Sequence, residues 1–129
     1  MGYQNFTELE VYKECRQFRM GVSALVKSCF PPDEKFRLSD QIIRSSRSIT
    51  ANIAEGHGRH YYKENIQFCR TSRASLSETL EHLITAFDEK YISNEQLLDY
   101  KAKVDLCGRL LNGYITFLKK QQKPREEGG

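Results

Sequence analysis

No stretch of this sequence stays apolar for anything near the ~20 residues that a membrane span requires, which excludes a spanning helix. The first ten residues, Met1 to Glu10, lack the hydrophobic region of a signal peptide, so the cytoplasm is the expected location. Nothing reads as a β-strand, and no internal repeat appears. Cysteine and histidine pairs at metal-binding spacing are missing, as is any serine or cysteine nucleophile motif. His57 and His60 flank a glycine turn and read as loop surface. The carboxylates fall mostly on solvated helix faces. No catalytic constellation emerges, so neither an enzyme nor a cofactor is expected.

What is present fits one soluble domain. The chain has 129 residues, 39% hydrophobic and 29% charged, enough to bury one core and too apolar for global disorder. Cys15, Cys29, Cys69 and Cys107 all fall at apolar helical phases, where cysteine acts as a small hydrophobe. The reducing cytosol favours buried thiols over disulfides.

Helical periodicity dominates. Val11, Cys15, Phe18, Val22, Leu25 and Cys29 follow steps of four and three, the seam of a bundle helix. Thr7 with Glu10 predicts a capping box at its start, and Pro31-Pro32 stops it. A second helix is predicted from about Asp33 to Glu55, with Leu38, Ile42, Ile49 and Ile53 inward and Gly56-His57-Gly58 as a left-handed C-cap. The Gly-x-Gly pattern there lacks a preceding strand, so it is not a nucleotide fingerprint. A third helix runs from about His60 to Glu89, with Tyr62, Ile66, Cys69, Leu76, Leu80, Leu83 and Phe87 in its seam. Ser93-Asn94-Glu95-Gln96 predicts a capping box for a fourth, carrying Leu97, Tyr100, Val104, Cys107, Leu111, Tyr114 and Leu118. Short loops between long helices predict an all-α, antiparallel up-down-up-down four-helix bundle over residues 1–120, with a frayed tail at 121–129.

The seam is interrupted by polar residues. Ser45, Ser46 and Asn52 lie between Ile42 and Ile53, while Ser72 and Arg73 follow Cys69. Small side chains let helix axes approach closely, so the second and third helices are predicted as the tight central pair. Arg73 is expected to be held there by a carboxylate or amide, with Glu55 or Asn52 the favoured partners. Such a polar layer of Asn52, Glu55, Ser72 and Arg73 would fix register and oligomeric state.

Net charge is only +3, but its distribution is uneven. Between Gln41 and Arg73 six basic residues face two acidic ones, a net +4. Between Ala74 and Leu118 four basic residues face seven acidic ones, a net −3. Arg44 and Arg47 lie one turn apart on the second helix, and Arg59, Lys63 and Arg70 fall on one side of the third. Arg59 also adjoins that helix's N-terminus, where free amides favour anions. Two readings are open: a nucleic-acid-binding stripe, or a solvated face with salt bridges to Glu55 and Glu64.

Four blocks carry a resemblance. They are Phe36-Arg37-Leu38-Ser39-Asp40-Gln41-Ile42-Ile43-Arg44-Ser45-Ser46-Arg47-Ser48-Ile49, Asn52-Ile53-Ala54-Glu55-Gly56-His57-Gly58-Arg59, Phe68-Cys69-Arg70-Thr71-Ser72-Arg73-Ala74-Ser75-Leu76-Ser77-Glu78, and Leu111-Asn112-Gly113-Tyr114-Ile115. In this order they resemble the bacterial four-helix bundle proteins encoded in intervening sequences of large-subunit ribosomal RNA genes. The similarity runs from about Phe6 to Leu118. It implies a homopentameric ring with a basic surface and no established enzymatic activity. It also implies kinship with the accessory variability proteins of diversity-generating retroelements, which partner a reverse transcriptase and RNA. The chain departs from the pattern at Ala74, where the family often has glycine, and the extra methyl is expected to widen a helix contact. On these grounds the chain is expected to be a non-catalytic oligomer that binds RNA or a nucleoprotein through its basic helix 2 and helix 3 surface. A purely structural or protein–protein module is the alternative.

Overall fold

The computed structural model describes residues 5–122. Among them are four α-helices, α1 (Glu10–Cys29), α2 (Leu38–His57), α3 (Tyr62–Asp88) and α4 (Asn94–Gln121), two short 3-10 turns, and no strand. Contacts between helix faces set the directions. Ser45 meets Thr79 while Gly56 meets Asn65, so α2 and α3 run antiparallel. Arg73 reaches Asn112 and Asn65 reaches Tyr114, which makes α3 and α4 antiparallel. Tyr100 donates to the Gly21 carbonyl and Gln96 to the Cys29 sulfur, so α1 and α4 are antiparallel too. The helices alternate in direction around the bundle, as the short loops predict. Of the tail expected at 121–129, Gln121 still belongs to α4 with Gln122 as its C-cap, and residues 123–129 lie outside the described residues.

The apolar seams close on one core. Val11, Cys15, Phe18, Val22 and Leu25 of α1 are buried, as are Leu38, Ile42, Ile49 and Ile53 of α2. Ile66, Cys69, Leu76 and Leu83 of α3 join Leu97, Val104, Cys107, Leu111 and Leu118 of α4. Ile115, one residue after a predicted seam tyrosine, is buried, while Tyr114 and Tyr100 are half-buried with their hydroxyls bonded at the bundle edge. Tyr62, predicted in the seam, is exposed because it opens α3 at the end of the bundle.

Helix ends follow the local chemistry with three corrections. The Ser93 box forms: the Gln96 amide donates to Ser93 Oγ at 3.1 Å, and the Ser93 amide to Gln96 Oε1 at 2.8 Å. The Thr7–Glu10 box does not, because residues Phe6–Glu8 form a 3-10 turn capped by Asn5, whose Oδ1 accepts from the Thr7 amide. Leu9 then precedes α1 without a side-chain cap. The second helix starts at Leu38 rather than near Asp33. Pro32–Glu34 forms a 3-10 turn, the favoured place for a proline, and Arg37 leaves helical backbone at φ −124° and ψ −107°. Glu34 then caps α2 from a distance through the Leu38 amide (3.1 Å) and accepts from the Tyr91 hydroxyl (2.7 Å), tying two loops together.

The third correction concerns Gly56 and Gly58. Neither adopts a left-handed conformation, and Gly58 has φ −80°. Gly56 lies inside α2 and is glycine because α3 comes too close: a Cβ there would stand 2.6 Å from Asn65 Oδ1 and 2.8 Å from Phe68 Cβ. It is a packing glycine, not a turn glycine.

Candidate nucleic-acid interface

Between α2 and α3 the small residues form a ladder of buried hydroxyls. Ser72 Oγ donates to the Ile49 carbonyl at 2.7 Å, bridging the helices side chain to backbone. Ser45 Oγ and Thr79 Oγ1 hydrogen-bond at 2.7 Å, and Ser75 Oγ donates to Ser48 Oγ at 2.8 Å. Each hydroxyl replaces methyl bulk that would hold the helices apart, while its bond removes the cost of burying it. Among the described residues no buried side-chain nitrogen or oxygen lacks a partner.

The layer differs from the predicted one in two of four members, Glu55 and Arg73. Ser72 sits in it, and half-buried Asn52 joins it through Ser48 Oγ. Arg73 is exposed and reaches the other way, donating to Asn112 Oδ1 of α4 at 2.7 Å. Its seam phase places it on the α4 side of α3, and its length carries the guanidinium to solvent. Asn52 turns back along its own helix, donating to the Ser48 carbonyl at 2.8 Å and to Ser48 Oγ at 2.9 Å. Glu55 is exposed and accepts from Arg59 at 2.9 Å. A hydroxyl fills the narrow contact at lower desolvation cost than a charge. Ala74 is exposed, so its methyl widens no contact within the chain.

The five predicted basic residues are all exposed, on two faces rather than one. Arg44 is held by Asp40 at 3.0 Å. Arg47 lies one turn from Thr50, whose hydroxyl accepts from Arg19 of α1 at 2.9 Å, so Arg47 shares the α1–α2 face with Arg19 and, a turn away, Arg16. On α3, Arg70 lies one turn from Arg73 and donates to Gln67, which puts Arg70 and, two turns earlier, Lys63 toward α4. Arg59 stands in the α2–α3 turn, three residues before α3, with its guanidinium 4.8 Å from the Phe68 ring centre.

The family model described as 23S rRNA-intervening sequence protein matches residues 7–113. The chain belongs to that family. A similar solved structure is a protein with unknown function from the S23 ribosomal protein family of Bacteroides thetaiotaomicron, 26% identical over 81% of this chain and 97% of that one, with a TM-score of 0.74. No curated protein matches the chain.

For this 23S rRNA-intervening sequence family member the rest of the surface adds little reactive chemistry. His57 closes α2, His60 is exposed with its ring edge-on to Tyr61 at 4.5 Å, and His82 lies 3.3 Å from Glu78. Among the described residues no three His, Cys, Asp or Glu side chains cluster to hold a metal. The four cysteines are free. A hydrogen bond to Cys107, together with burial, pushes the Cys15 thiol far above its ordinary value, and burial raises Cys69 to about 11. No helix among the described residues is long and apolar enough to cross a membrane. Sequence reasoning missed Arg16 and Arg19, whose signal was their three-residue step beside the seam positions Cys15 and Phe18.

Proposed function

We propose that this chain is a non-catalytic, cytoplasmic, oligomeric bundle that binds RNA, alone or within a nucleoprotein, through cationic helix faces. Arg44 and Arg47 on α2, Arg59 in the turn, and Lys63 and Arg70 on α3 are its contact residues, with Arg16 and Arg19 extending the α2 face. The observation that carries this reading is the exposure of cations that no carboxylate neutralises. Arg47 and Lys63 make no ion pair among the described residues, and Arg70 bonds only a neutral glutamine. Phosphate backbones need such charges and no shaped pocket. Membership of a family named for rRNA intervening sequences is in keeping with an RNA ligand. Following the resemblance, the chain assembles as a homopentamer and a reverse transcriptase is its nucleoprotein partner.

The competing reading, a structural or protein–protein module, draws on Arg44 and Arg59, each already paired within its own turn to Asp40 and Glu55. Anisotropy titrations of labelled RNA separate the two. Under RNA binding, Arg47→Ala, Lys63→Ala and Arg70→Ala each weaken affinity and lower the salt slope by about one. Affinity unchanged in all three variants contradicts it. Light scattering tests the ring: five 15.0 kDa chains are expected, and a monomer mass contradicts assembly.

A further inference from the structure

Tyr61, Tyr62 and Phe117 are exposed by 53%, 37% and 52%, unusual for large rings, and all three line one cleft at the end of the bundle where α2 turns into α3. The cleft holds about 270 Å³, near the lower edge of small-molecule sites and too small for a partner helix. Its lining is not simply apolar. Asn65, 7% exposed, donates to the Tyr114 hydroxyl at 3.4 Å, a long bond that leaves both groups able to take better partners. Arg59, paired through Nη2 with Glu55 at 2.9 Å, contributes its remaining N–H groups to the same lining. The first turn of α3 beside it has no side-chain cap, so its amides are open to an anion.

An apolar cover would dehydrate the Asn65–Tyr114 pair and Arg59 without replacing their water. A planar heterocycle stacks on the rings and offers hydrogen bonds along its edge, and an attached phosphate answers the cation and the amides. We infer that this cleft binds a single nucleobase with its phosphate, ring against Tyr61, Tyr62 and Phe117, polar edge toward Asn65 and Tyr114. Tyr114 and Phe117 lie beyond the residues 7–113 that match the family model. The site shares Arg59 with the proposed RNA contacts but needs none of Arg44, Arg47, Lys63 or Arg70, so the test variants of the two sites do not overlap. A free mononucleotide and an unpaired base of an RNA strand share this chemistry.

Calorimetric titration with AMP, and separately with a single-stranded RNA hexamer, tests the site. AMP binding is expected, weakened about tenfold by either Tyr61→Ala or Phe117→Ala. Equal affinity for AMP and hexamer identifies the free nucleotide as the source; a hexamer preference of tenfold or more identifies the strand. Absence of AMP binding overturns the inference, as does unaltered AMP affinity in both variants. So does a fall in light-scattering mass of these variants with AMP binding intact, which would make the rings a contact between copies. Failure here is distinct from failure of the cationic faces. The first leaves salt-dependent RNA binding without AMP binding, and the second leaves AMP binding without salt-dependent RNA binding.

Discussion

Gly56→Ala places a methyl where α3 already stands. The added carbon would meet Asn65 Oδ1 at 2.6 Å, Phe68 Cβ at 2.8 Å and the Asn65 carbonyl at 3.1 Å. The amide can swing away, but Phe68 Cβ and the Asn65 carbonyl are fixed to the α3 backbone, so the helices must separate there by several tenths of an ångström. Overpacking of this kind costs about 1–3 kcal/mol. Alanine regains up to about 1 kcal/mol of helix propensity, less than that so close to a helix end. The net is a destabilisation of about 1–2 kcal/mol, a fall in Tm of roughly 5 °C. Two other glycines serve as controls. Gly58→Ala meets nothing nearer than 3.6 Å at an ordinary φ and should be near neutral. Gly113→Ala, in open space on α4, should stabilise by about 0.5–1 kcal/mol. Paired thermal and urea melts of the three variants give the ranking. Gly56→Ala as stable as the parent, or Gly58→Ala worse than Gly56→Ala, would refute the close α2–α3 approach and restore the turn-glycine reading.

Further outcomes follow from the same contacts. Ser72→Ala should cost about 1 kcal/mol in urea unfolding through the lost bond to the Ile49 carbonyl, while Arg73→Met, at the exposed rim, should change stability by no more than about 0.5 kcal/mol. Hydrogen bonds from Tyr91 and the Leu38 amide lower the Glu34 pKa, so its contribution is present above the ordinary carboxylate range and lost as pH falls through the depressed value. The Glu34 bond raises Tyr91 to about 12, so that part is present below pH ~10 and lost as pH rises through 12. Tyr91→Phe should therefore flatten both limbs of the stability–pH curve, and an unchanged curve would dismiss the link. In native protein a thiol reagent should label Cys29 quickly and leave Cys15, Cys69 and Cys107 unlabelled until denaturant is added. Mass spectrometry counts the labels, and fast labelling of Cys15 would contradict its burial.

The bundle was legible because three of its signals are local: the three-four spacing of apolar residues, the Ser93 box and the Pro31-Pro32 stop. The errors share a cause. Each assigned a residue its commonest role when a distant neighbour decides that role. Gly56 reads as a cap until Asn65 and Phe68 are seen beside it. Arg73 reads as buried because its phase is apolar, yet a long side chain leaves a seam that a serine cannot. Thr7 reads as a cap until Asn5 closes a turn around it. The cationic faces were half legible: periodicity put Arg44 and Arg47 on the α2 surface, but only the Arg19–Thr50 bond joins them to α1. The end cleft was not legible, since Tyr61 and Phe117 lie 56 positions apart in the sequence.

Exposed, unneutralised cations on this bundle are proposed to bind RNA phosphates. The salt dependence of RNA affinity for the wild-type protein tests it most directly. Log K should fall linearly with log salt, with a slope near −0.7 for each phosphate contact on a single strand. No measurable binding at low salt, or an affinity that ignores salt, would contradict it.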